Sequence, residues 1–158
     1  MSKLGKKIKT NKFKFALSFV LIAILGIMTI GLAVKLNDSM TTKTLKASDY
    51  SVCALDSSGE ETESDASLVS EFTTVDGLKC KLEEDADIEY KLFFYNADKE
   101  FIVASDSLSS DVELSELSLS GIDDAEFVRV QIMPKEDSEI SFFEKSSYVK
   151  QLTVTVNK

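Results

Sequence analysis

Histidine and tryptophan are absent from the 158 residues, proline occurs once and cysteine twice. Arginine appears only as Arg129. Without histidine, the Ser-His-Asp and Cys-His arrangements cannot be built, and zinc loses its commonest ligand. Neither Cys53 nor Cys80 has the basic neighbours that mark a nucleophile. Carboxylates are so frequent that pairs arise by chance, so paired acids alone do not signal glycoside hydrolysis. No enzyme is expected.

Positive charge is also scarce outside one end of the chain. Seven of the 18 basic residues and none of the 27 acidic ones lie in residues 1–35. The remainder carries 11 basic against 27 acidic residues, a net charge near −16. So acidic a body lacks the clustered Lys and Arg that nucleic acid requires. Anionic lipid headgroups repel it. Its plain physical meaning is solubility.

What the sequence does have is one long apolar run, Phe15 to Val34. It is uncharged and has the roughly 20 residues, at about 1.5 Å each, that a helix needs to span a bilayer. Lys3, Lys6, Lys7, Lys9, Lys12 and Lys14 precede it with no acidic residue among them. Lysine excess on that flank keeps it in the cytoplasm and exports everything from Lys35 onward. A cleaved secretory signal is the rival, with small residues at Gly31 and Ala33, but the run exceeds the roughly 7–15 residues of a signal core. Both readings place the body outside. The division is a basic head (1–14), a transmembrane anchor (15–34), a polar stem (35–48) and an extracytoplasmic domain (49–158).

Past the stem, strand signals recur at short intervals. Tyr50–Leu55 and Leu68–Val75 flank a polar loop, Asp56 to Ser67, and Asp76-Gly77 is a strong turn. Leu78–Glu83 alternates, with Leu78, Cys80 and Leu82 on one face. In Ile88–Tyr95, Tyr90, Leu92 and Phe94 share one face and Lys91, Phe93 and Tyr95 the other. Phe101–Ala104 follows. Val112 to Leu119 alternates with a slip at Ser115-Glu116, as at a bulge. Phe127–Met133 sets Val128, Val130 and Ile132 against Phe127, Arg129, Gln131 and Met133, and Pro134 stops it. Ile140–Phe143 and Val149–Val156 complete eight or nine strands, with no helix expected outside the membrane. The expected fold is all-β, a two-sheet jelly-roll-like sandwich behind one N-terminal transmembrane helix.

Two stretches carry a family resemblance. Ile88-Glu89-Tyr90-Lys91-Leu92-Phe93-Phe94-Tyr95-Asn96, followed by Phe101, resembles a strand of discoidin-like, galactose-binding-type jelly rolls. Ala125-Glu126-Phe127-Val128-Arg129-Val130-Gln131-Ile132-Met133-Pro134 resembles a late strand of the same domains. The resemblance covers roughly Tyr50 to Lys158. It implies the sandwich fold and recognition of glycans or phospholipid headgroups through loops at one end, in some members beside a structural calcium. The exposed tryptophans of many glycan binders are missing here.

Four side chains are the candidate ligand face: Arg129, Gln131, Phe93 and Tyr95, flanked by Lys91. A guanidinium beside an amide suits sugar hydroxyls or a carboxylate, and the aromatics suit stacking on sugar rings. The plainer alternatives are an internal ion pair for Arg129 and packing beneath a loop for the aromatics. Glu84-Asp85-Asp87 and Asp123-Asp124-Glu126 offer the hard oxygens calcium prefers, without EF-hand spacing, so no cofactor is assigned. Export of Cys53 and Cys80 permits a disulfide, and two free thiols are equally compatible with the sequence. The functional expectation is a membrane-anchored binding module for glycan. The alternative is a protein-interaction or assembly subunit of an envelope complex.

Overall fold

The structure is a computed structural model that describes residues 41–136, 139–141 and 143–158. The basic head and the apolar run 15–34 lie outside the described residues. Among those described, no helix is long and apolar enough to cross a membrane.

The chain from Thr42 onward folds as one unit of antiparallel sheets stacked as a β-sandwich. The first sheet has the order β1-β12-β7-β10, built from Thr42–Thr44, Leu152–Asn157, Lys79–Leu82 and Val112–Glu113. The second has the order β2-β5-β11-β8-β9, built from Tyr50–Val52, Leu68–Ser70, Phe127–Pro134, Ile88–Tyr95 and Phe101–Ala104. Thr73–Thr74, β6, also pairs with β11. A separate two-stranded hairpin joins β3 (Ala54–Leu55) to β4 (Glu61–Thr62).

Strand alternation builds the core. Cys80 of β7 and Val154 of β12 lie opposite one another in register. Across from them stand Tyr90, Leu92 and Phe94 of β8 with Val128, Val130 and Ile132 of β11, all fully buried. β8 and β11 pair over eight positions from Phe127↔Tyr95 to Pro134↔Ile88. Proline is tolerated there because it holds the last position of the ladder.

Four expectations change. The segment read as a polar stem contributes β1: Lys43 pairs with Val156, the Leu45 amide donates to the Val154 carbonyl, and Leu45 is buried. Threonines that look like linker composition are good strand formers once a partner strand is present. Val112 to Leu119 is not one strand, since β10 ends at Glu113 and the 3-10 turn Leu114–Glu116 follows. The slip at Ser115-Glu116 is that turn, and the Glu116 carboxylate accepts from the Glu113 amide.

A helix does occur among the described residues. Lys145–Gln151, α1, occupies residues expected to begin the last strand, and its Val149 enters the core. Ser141 and Glu144 start it: the Glu144 carboxylate accepts from both the amide and the hydroxyl of Ser141, at 3.1 and 2.6 Å. This is the serine-to-glutamate spacing of a helix-entry capping arrangement. Ile140 is buried in extended loop rather than strand.

One core group is ill-matched. Tyr50 is buried, and its hydroxyl has no hydrogen-bond partner. Burial, then the nearness of Cys80 and Asp49, pushes its ionisation well above the usual tyrosine range. Replacing Tyr50 with phenylalanine removes a desolvated orphan and keeps the ring. The expected result is a gain of about 1 kcal/mol in urea denaturation, within the roughly 1–3 kcal/mol an unmet buried group costs. A loss of similar size would mean the hydroxyl is bonded in solution.

Candidate functional site

The β8–β11 register places Arg129 opposite Phe93, Gln131 opposite Lys91 and Phe127 opposite Tyr95. The candidate side chains therefore meet on one sheet face, as alternation predicts. That face is not open. Arg129, Gln131, Phe93 and Tyr95 are all buried, and only Lys91 is half-buried. The β3–β4 hairpin covers them.

The buried polar groups of the face, Arg129, Gln131 and Tyr95, are engaged by this cover or by its surroundings. The Arg129 Nε donates to the Ser70 carbonyl at 2.9 Å, and a terminal nitrogen donates to Glu61 of β4 at 2.6 Å. The guanidinium also sits 4.9 Å from the Phe72 ring centre, a cation–π distance. Gln131 Oε1 accepts from the Leu55 amide at 2.9 Å, and the Tyr95 hydroxyl donates to the Gly59 carbonyl at 2.7 Å. Gly59 is required there: its φ is +75°, and a Cβ would lie 2.6 Å from the Phe101 ring. The turn is shaped by Asp56, which accepts from the hydroxyl and amide of Ser58. Those bonds hold its carboxyl below the usual range.

Beneath the hairpin is a second apolar cluster of Cys53, Leu55, Val69, Phe93 and Tyr95, rimmed by Phe72, Phe101 and Phe127. Tyr95 meets Phe72 and Phe101 edge-on, with ring centres 4.9 and 5.9 Å apart. Lys99, at φ 64°, carries its ammonium to 5.0 Å from the Phe72 ring. Burial raises the Tyr95 hydroxyl above its ordinary range. It does the same to the Cys53 thiol, helped by Glu61. In this structure Arg129 is held in an internal ion pair and the aromatics pack beneath a loop.

The cysteines are both free and buried. Cys53 belongs to the cluster under the hairpin and Cys80 to the core between the sheets. The intervening sheet keeps the thiols apart, and the disulfide does not form. Among the described residues, no three Cys, Asp or Glu side chains are grouped to hold a metal ion, including those of the two acidic runs.

Sequence reasoning missed a cleft of about 650 Å³ at the end of the sandwich where the chain crosses from β10 to β11. Its floor is aliphatic, made by Val75, Leu78, Leu114, Leu117, Ile122 and Ala125. Asp76, Asp123 and the Lys79–Glu113 ion pair (2.9 Å) stand at the rim. The walls are set by backbone bonds, Leu114 N–H to Leu78 at 3.1 Å and Ala125 N–H to Ile122 at 3.1 Å. Gly77 and Gly121, both at positive φ, turn the chain at its edges. The available signal was the phase slip in Val112 to Leu119, which leaves Leu114, Leu117 and Leu119 half-buried against the core. No protein-family model, curated protein or solved structure matches the chain.

Proposed function

We propose that this chain is a membrane-anchored, extracytoplasmic protein-interaction module. In this reading its sandwich docks an apolar partner segment flanked by lysine or arginine. The observation that supports this is the cleft: an aliphatic floor with carboxylates at the rim, on a body of net charge near −16. Aliphatic side chains give a sugar nothing to stack on, whereas they suit Leu, Ile or Met of a peptide. The acidic rim orients basic flanks and speeds encounter. Glycan recognition is the second reading, favoured by the convergence of Phe93, Tyr95, Arg129 and Gln131, whose face the hairpin occupies.

The test is photo-crosslinking in intact cells from a probe residue at Ser115, against a control at Thr153 on the first sheet. The expected result is one partner captured from Ser115 only, through a peptide bearing Lys or Arg beside an apolar anchor. Asp76→Lys with Asp123→Lys should reduce capture by about tenfold, more at low salt than at high salt. Equal capture from both probes, or capture indifferent to the charge reversals, would exclude the cleft. Binding on a glycan array that Arg129→Ala abolishes would favour the second reading.

A further inference from the structure

The hairpin from Ala54 to Thr62 holds to the sheet below it in an unusual way. Its two strands pair only with each other and share no ladder with either main sheet. Three polar contacts fasten it: the Leu55 amide to Gln131, the Gly59 carbonyl to Tyr95, and the Glu61 carboxylate to Arg129. On the sheet side all three partners are buried. On the hairpin side, the Glu61 side chain is 58% exposed, and Asp56, Ser57, Ser58, Glu60 and Thr62 are exposed too.

Plain cover does not require this. An apolar lid over an apolar face avoids the desolvation of a guanidinium and an amide. Here a buried arginine, glutamine and tyrosine converge, and what they receive is a backbone N–H, a backbone carbonyl and a side-chain carboxylate. Those are the groups of an extended acidic peptide.

We propose that this face is a second binding site, for an acidic peptide segment of a partner protein. The β3–β4 hairpin is its resident occupant, an intramolecular plug that such a peptide displaces. The incoming Asp or Glu takes the place of Glu61 on Arg129, and its backbone serves Gln131 and Tyr95. The hairpin suits this role because each strand is two residues long, and so small a pair is marginal on its own. Opening it leaves the core between the sheets intact, so it opens more readily than the domain unfolds. This site is separate from the cleft at the β10–β11 crossing and takes a partner segment of the opposite charge.

The full-length chain in detergent micelles provides the test, with its own thiols as reporters. Cys53 lies under the hairpin and Cys80 in the other core. A neutral maleimide should label Cys53 about a hundredfold faster than Cys80, and Glu61→Gln should raise the Cys53 rate about tenfold further without changing Cys80. A fluorescent peptide of residues 54–62 should bind the E61Q chain about tenfold more tightly than the parent, because the variant's plug competes less well. The same peptide carrying Glu61→Gln should not bind. Equal labelling rates for the two thiols in the parent would overturn the proposal, since the plug would then open only with the whole fold. So would failure of the peptide to bind the E61Q chain, or a hexuronate oligosaccharide that saturates that chain when the peptide does not.

Discussion

Replacing Arg129 with alanine should destabilise the domain by about 3 kcal/mol, a large share of the roughly 5–15 kcal/mol that holds a domain together. Two bonds from a charged donor are lost, to Ser70 and Glu61, each in a class worth about 1.5–3 kcal/mol. The stacking on Phe72 goes with them, and the Ser70 carbonyl loses its Arg129 donor in a buried setting. Glu61 is half-exposed and returns to water, which keeps the total below that of a fully enclosed ion pair. Urea denaturation of the domain measures it. An open ligand face would yield a loss under about 1 kcal/mol, as for surface pairs. That smaller number would mean that Arg129 stands on an open face with no hairpin over it.

Stability should also fall steeply on the alkaline side. Burial pushes the Cys80 thiol up to about 12 from an ordinary value of 9.0. The folded state thus keeps its proton where the unfolded chain releases it. Stability from this group is complete below pH 9 and drains away as pH rises toward 12, by about 4 kcal/mol at most. Tyr50 and Tyr90 act in the same sense from pH 10.0 upward, both raised first by burial. Cys53 adds a smaller term of the same sign. Denaturation midpoints measured at steps between pH 7 and 11 should decline from 9 onward. Cys80→Ala should start lower, because it leaves a cavity, yet lose less between pH 9 and 10. A midpoint that stays level to pH 11 would mean the thiol is not sealed in the core.

Much of this architecture could be read from residue order. Ile88–Tyr95 and Phe101–Ala104 are strands over the residues alternation assigned, because both faces of β8 are apolar and few other structures accommodate that. The meeting of Arg129 with Phe93 followed from the same period of two. Its closure did not. The cover is a polar segment, Asp56 to Glu61, whose place is set by contacts with Tyr95 and Arg129, distant in sequence and invisible to local pattern. α1 was hidden for a different reason. Val149 to Gln151 runs directly into an alternating strand, and the entry signal at Ser141 and Glu144 lies upstream in unperiodic sequence. β1 was lost because threonine and lysine read as linker until Val156 is beside them. The cleft has no sequence signature beyond a slipped phase, since it is a space between two crossings rather than a motif.

The strand order of the first sheet governs when the domain can finish assembling. β12 is the last strand in the chain, yet it lies inside the sheet, between β1 and β7. Until Leu152–Asn157 arrives, β1 has no partner at all, and β7 holds only the two-residue β10. A chain delivered through a membrane from its N-terminus would wait with its second sheet paired and its first sheet missing its middle. Such non-local closure is slow, because the whole intervening loop must be immobilised before any bond rewards it. During that wait Val128, Val130 and Phe94 would face water, which makes the interval before β12 inserts the time when an unfinished molecule most needs a chaperone.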